Sequence, residues 1–156
     1  MAQPPRPYSH TEERIGSVVV RAMSKLNTWI YRASGGRFGG RFAYGAPVFL
    51  LITKGRKSGE PRTAPLLYLA DGGNYLVVAS KGGMSHHPLW YLNLEAEPAC
   101  AIEIGSERKS VRARRASPAE KAALWPRLVE MYPPYAGYQA RTERDIPVVI
   151  LEPQPT

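Results

Sequence analysis

The sequence predicts an α+β domain, mainly β, in which short strands form an antiparallel sheet or small barrel interrupted by helices. Two observations carry this. Six short apolar runs are bounded by turn residues, and several are joined by tight glycine-containing turns, not by the long crossovers of a parallel sheet. Ahead of them lies one long stretch with helical periodicity, followed by a glycine-rich connector. The 156 residues therefore divide into a leader, amphipathic helix and connector over 1–45 and a barrel-forming domain over 46–156.

Ser9 and Glu12 form a capping box that opens a helix running to Ser34. Ile15, Val18, Val19, Ala22, Met23, Leu26, Trp29 and Ile30 fall on one stripe, and Arg14, Arg21, Lys25 and Arg32 make another face basic. The favoured reading packs the stripe on the core; the other is a lid or a membrane-facing helix. Gly35–Gly36 ends the helix, and five glycines punctuate Gly35–Gly45 with arginines and aromatics between them. Such a tract can stack on single-stranded nucleic acid, but eleven residues without a second copy make a connector, and no nucleic-acid partner is expected.

The strands follow at Val48–Thr53, Arg62–Ala70 and, after the turn Asp71–Asn74, Tyr75–Ser80. Pro98–Ile104 and Arg108–Arg115 pair across Gly105–Ser106, and Ile146–Leu151 closes the set. Pro88 begins a short helix through Leu94. A second box, Ser117 to Glu120, opens a helix to Met131 that Pro126 must kink or divide. A shorter helix is expected over Tyr135–Arg144.

Composition narrows the function. The longest apolar run, Val48–Thr53, is far short of the roughly 20 residues of a spanning helix. Met1–Ser9 is proline-rich without an apolar core, so no signal peptide is expected and the expected compartment is the cytoplasm. The single cysteine, Cys100, excludes an internal disulfide and a Cys-rich zinc site; its apolar strand context reads as a buried, inert thiol. A net charge of +8 calls for an anionic partner.

Three polar segments between the strands concentrate the chemistry. In Thr53–Arg62, the cations Lys54, Arg56, Lys57 and Arg62 bracket a turn made by Gly55 and Gly59, so that backbone N–H groups and positive charge converge. It is not a Walker loop, because the spacing is missing. Ala79–Pro88 leads from a strand end to a helix N-terminus, which suits an anion or a carbonyl. His86 and His87 are adjacent and lack metal-site spacing, so no metal is expected. In Met131–Asp145, Tyr132, Tyr135 and Tyr138 recur every third residue and offer flat surfaces with hydroxyl donors. Arg141, Glu143, Arg144 and Asp145 read as a local ion-pair cluster.

Together, TKGRKSGEPR (53–62), ASKGG (79–83), HPLWYLNL (87–94) and YPPYAGYQARTERDIP (132–147) resemble the deazaflavin-dependent nitroreductase family of actinobacteria, whose members use coenzyme F-420. The resemblance spans about Ala46 to Pro153. It implies a split β-barrel of the flavin-reductase type with an N-terminal helix. It further implies that Arg56, Lys57, Ser58 and Arg62, with Lys81 and Gly82 nearby, meet the coenzyme phosphate and glutamate tail. The deazaflavin ring would lie against Pro65, Leu67, Ala79, Ser80 and Trp90, and Tyr132, Tyr135 and Tyr138 would cover the acceptor side.

The implied activity is hydride transfer from reduced coenzyme F-420 to a small-molecule acceptor: a quinone, an activated enone or a nitroaromatic. Ser80 or a tyrosine hydroxyl would hydrogen-bond the acceptor oxygen, with Tyr135 the first choice of proton donor, Tyr138 the second, and water an open alternative. Leu67 stands where a nitroimidazole-activating member carries an aromatic, which counts against that activity. The rival readings are an FMN enzyme of the same fold and a non-enzymatic, basic nucleic-acid module. The leader helix leaves peripheral attachment to the inner face of the plasma membrane open.

Overall fold

The computed structural model describes residue 3 and residues 5–155; Met1, Ala2 and Pro4 of the proline-rich leader, and Thr156, lie outside the described residues. Among the described residues four α-helices, α1 (His10–Ala33), α2 (Leu89–Ala96), α3 (Pro118–Met131) and α4 (Pro134–Arg141), accompany seven strands. The strands are β1 (Val48–Lys54), β2 (Pro61–Leu67), β3 (Leu69–Asp71), β4 (Asn74–Val78), β5 (Ala99–Ile104), β6 (Glu107–Arg115) and β7 (Val148–Pro153). All pairings are antiparallel, in the order β2-β1-β5-β6-β7-β4-β3.

That order has a geometric consequence. β2 and β3 are the two edges of the sheet, yet only Tyr68 separates them in the chain. Edges joined by one residue force the sheet to curl until they meet, which gives a barrel split along the β2–β3 seam. The single strand expected over Arg62–Ala70 is thus two. Tyr68 stands at the break: its N–H carries the β1–β2 register one step further, to the Pro47 carbonyl at 3.1 Å, and its ring stacks on Phe49 at 4.6 Å.

Strand alternation splits the core in two. Val77, Val149 and Leu151 face the barrel interior with Phe49, Leu51, Ile102 and Val111. Leu76, Val78, Val148 and Ile150 face outward and are covered by Leu128, Tyr132 and Tyr135. The outer cluster holds α3 and α4 against β4 and β7. α3 runs through Pro126 undivided, so of the two expected outcomes, a kink or a division, division does not occur; Leu128, fully buried just beyond, ties its second half to the sheet. Both capping boxes form, at Ser9–Glu12 and Ser117–Glu120, whereas Pro88 is the cap of α2 and not its first residue. α4 ends at Arg141, three residues before its expected end.

The favoured reading of α1 is overturned. Its apolar stripe points outward: Ile15 is 62 %, Val18 65 % and Trp29 70 % exposed. Polar ends, not apolar packing, fix the helix. At one end the buried Glu13 carboxylate accepts the Ser85 N–H (2.7 Å) and hydroxyl (2.8 Å). At the other, the Tyr31 hydroxyl accepts the Gly105 N–H at 2.7 Å, and Arg32 pairs with Glu103 at 3.2 Å. The helix comes close to the Ser80–Ser85 turn here, with Gly16 against the Met84 methyl and the Ser17 hydroxyl on Met84 Sδ at 3.9 Å. Among the described residues no helix is long and apolar enough to cross a membrane.

Candidate active site

The three polar segments converge, with α1, on one cavity of about 800 Å³. β2 forms its floor from Arg62 to Leu67, a span of about 17 Å at ordinary strand rise. That length separates a cationic side from a phenolic side.

The cationic side is the β1–β2 turn. Gly59, at φ +73°, closes it through its N–H to the Gly55 carbonyl at 2.8 Å. Asn93 of α2, buried, braces the turn from beneath: its amide donates to Thr53 Oγ1 (3.0 Å) and its carbonyl accepts the Arg56 N–H (3.1 Å). Ser58 Oγ accepts Arg62 Nη2 at 3.2 Å. Arg56, Lys57 and Arg62 line the cavity with Lys81 and, from α1, Arg21 and Lys25, while among the described residues no Asp or Glu lines it.

The second wall is the Ser80–Ser85 turn, in which Lys81 and Gly82 adopt positive φ of 44° and 62°. Arg144 fixes this turn, donating to the carbonyls of Ser80 (2.7 Å), Met84 (2.9 Å) and Ala79 (3.1 Å). The expected local ion-pair cluster is therefore absent: Arg144 serves the backbone 60 or more residues away, and Asp145 pairs with Lys121 (2.6 Å) and Arg115 (3.0 Å). Lys81 Nζ lies 2.7 Å from His86 Nε2, and burial, then the neighbouring Arg21 charge, lowers its pKa. Ser80 lines the cavity and its hydroxyl has no hydrogen bond among the described residues.

The phenolic side is carried by the α3–α4 junction. Tyr132 and Tyr135 pack edge-to-face at 4.9 Å, and the Tyr132 and Tyr138 hydroxyls are 3.3 Å apart. Burial raises the Tyr135 pKa; burial and then the Tyr132 hydrogen bond raise that of Tyr138. Both hydroxyls stay protonated at neutral pH. Gly83 joins this side to the turn, for a Cβ there would come within 2.6 Å of the Tyr138 carbonyl oxygen.

Of the residues singled out by sequence, Arg56, Lys57, Ser58, Arg62, Pro65, Leu67, Ser80, Lys81, Gly82, Trp90, Tyr132, Tyr135 and Tyr138 all line the cavity. Ala79 does not: it is fully buried in the barrel core. Sequence reasoning missed Asn93, Thr53 and Arg144, whose contacts bridge 37 to 65 residues and leave no periodic trace. It also missed Arg21 and Lys25 as cavity residues. Cys100 is half-buried, and burial pushes its thiol up to about 12, as an inert strand cysteine should be.

The residues fit a planar coenzyme with an anionic tail. Six cations without a counter-carboxylate demand negative charge, and Pro65, Leu67 and Trp90 supply apolar surface for a ring. The curled sheet and its seam define the fold as a split barrel of the FMN-binding-like type. The model of the F420H(2)-dependent quinone reductase family matches residues 23–153, and the chain belongs to that family. An F420H(2)-dependent quinone reductase of Mycobacterium tuberculosis is 42 % identical over 143 residues, covering 90 % of this chain and 93 % of the relative. A solved F420-H2 dependent reductase is 43 % identical with a TM-score of 0.63, covering 68 % of this chain and 94 % of its own. A second structure, described as a domain-swapped dimer, is 37 % identical with a TM-score of 0.66 and covers 82 % and 95 %. Membership implies coenzyme F-420 as cofactor and a quinone-type acceptor.

Proposed function

We propose that the protein reduces quinones, activated enones or nitroaromatics at the phenolic side of the cavity, with coenzyme F-420 held by the cationic side. The observation that carries this is one cavity with unpaired cations along one flank and protonated phenols along the other. The coenzyme, when reduced and bound, supplies a hydride. The chain's own part is positioning, exclusion of water and proton supply. Arg56, Lys57 and Arg62 hold the tail, and Pro65, Leu67 and Trp90 hold the ring. The Ser80 hydroxyl donates a hydrogen bond to the acceptor oxygen as negative charge grows there. Tyr135 supplies the proton, with Tyr138 second; Tyr138 shares its hydroxyl contact with Tyr132. Leu67 in place of an aromatic disfavours nitroimidazoles.

The protein also docks on the cytoplasmic face of the membrane through the outer face of α1. The exposed Ile15, Val18, Leu26 and Trp29, and a net charge of +8, support an anionic lipid surface as the occupant. Vesicles containing phosphatidylglycerol should co-sediment wild-type protein but not Trp29→Ser/Leu26→Ser. Equal binding by the variant, or dimerisation lost in its place, contradicts lipid docking.

The test of the activity is spectroscopic: oxidation of reduced coenzyme F-420 against a panel of quinones, enones and nitroaromatics. Quinone turnover is expected. A protein that purifies with FMN and oxidises no deazaflavin contradicts the proposal.

A further inference from the structure

α1 lies with the wrong face inward for a helix packed on a core. The stripe from Ile15 through Val18 and Leu26 to Trp29 faces out, and the face turned to the barrel carries Ser17, Ser24 and Thr28, with Val20 beside them at the cavity and Thr28 Oγ1 buried without a hydrogen bond. The helix is moored toward its start by Glu13 on Ser85 and by the Ser17 hydroxyl on Met84 Sδ at 3.9 Å, and at its end by Tyr31 and Arg32 on Gly105 and Glu103. Between the moorings it spans the cavity, and Arg21 and Lys25 line it.

Neither Arg21 nor Lys25 has an ion pair or a hydrogen bond among the described residues, although other α1 charges do: Glu12 pairs with Arg6, and Arg32 with Glu103. Arg21 and Lys25 are four residues apart, about 6 Å along the helix. Arg21 sits near Lys81, while the C-terminal end of α1 reaches Thr63 on β2 through Arg32 (3.4 Å). The two side chains therefore fall between the Lys81 turn and the start of β2, where Arg62 stands. A cavity walled on both sides by unpaired cations holds like charges together at a cost that only an anion relieves.

We propose that α1 is part of the coenzyme site, with Arg21 and Lys25 binding the anionic phosphate–glutamate tail beside Lys81 and across the cavity from Arg56, Lys57 and Arg62. The basic flank of the helix faces the coenzyme, and its apolar flank faces away. This rests on the coenzyme reading above and adds to it a recognition element in the leader.

The test measures, by calorimetry, the affinity of wild-type protein and of Arg21→Gln/Lys25→Gln for two probes. One is intact coenzyme F-420; the other is its chromophore without phosphate and glutamates. The double variant should bind intact coenzyme about tenfold more weakly at low salt, with a flatter salt dependence, and bind the bare chromophore as wild type does. Without coenzyme its melting temperature should equal or exceed that of wild type, because repulsion has been removed. The charge-conserving Arg21→Lys/Lys25→Arg variant should keep most of the affinity. Unchanged affinity and salt dependence in the double variant overturns the assignment. So does equal weakening for both probes, or loss of affinity in the charge-conserving variant. Wild-type protein that binds neither probe sinks the coenzyme reading itself, a result distinct from all of these.

Discussion

The two sides of the cavity are built by opposite means. On the cationic side, long side chains stand on a glycine-bounded turn and a helix face, and they meet no carboxylate within the cavity. On the phenolic side, three tyrosines are wedged into the outer core, one edge-to-face on another at 4.9 Å, with their ring positions set by Leu128, Val148 and Ile146. On the proposed reading, the first side binds by charge and the second positions a hydroxyl. Substitutions on the first should therefore change affinity, and those on the second turnover.

The largest effect is expected on the phenolic side. Tyr135→Phe/Tyr138→Phe should lower kcat for quinone reduction by about 10²-fold with coenzyme affinity unchanged. A loss of affinity with kcat intact would erase the distinction between the sides. Next come Arg62→Ala and Lys57→Ala, each raising the coenzyme Kd by about tenfold and reducing its salt dependence at saturating kcat near wild type. Gly83→Ala sharpens the link between the two sides. Its φ of +81° and its closeness to Tyr138 should cost about 2 kcal/mol in a melting experiment and lower kcat with it.

The smallest effect concerns the mooring of α1. Burial opposes ionisation of Glu13, but the Ser85 N–H and hydroxyl, aided by His86, hold its carboxyl below the ordinary range. A depressed folded pKa means that the stabilisation is complete above the unfolded value, about 4.3, and is lost as pH falls through the folded one. Hydrogen exchange over residues 10–25 should therefore accelerate on acidification below that value. Glu13→Gln should remove this pH dependence.

The same contrast explains what the sequence disclosed. The turn glycines, the capping boxes at Ser9 and Ser117, and the clustering of cations and tyrosines are local features, legible because their chemistry is decided within a few residues. Periodicity also found the apolar stripe of α1. It could not say which way the stripe points, because a stripe specifies a face and not its partner, and here polar bonds at Glu13 and Tyr31 decide the orientation. The bracing of the basic turn by Asn93 and of the Ser80–Ser85 turn by Arg144 depends on barrel closure, which local pattern does not encode. Division of the expected strand at Tyr68 has the same origin: one residue joins the two edges of a curled sheet.

Binding of reduced coenzyme F-420 to folded protein, followed calorimetrically from low to high salt, tests the central claim most directly. Association whose affinity falls steadily as salt rises is the predicted result. No heat of association, or an affinity indifferent to salt, would contradict a cavity built to seat a polyanion.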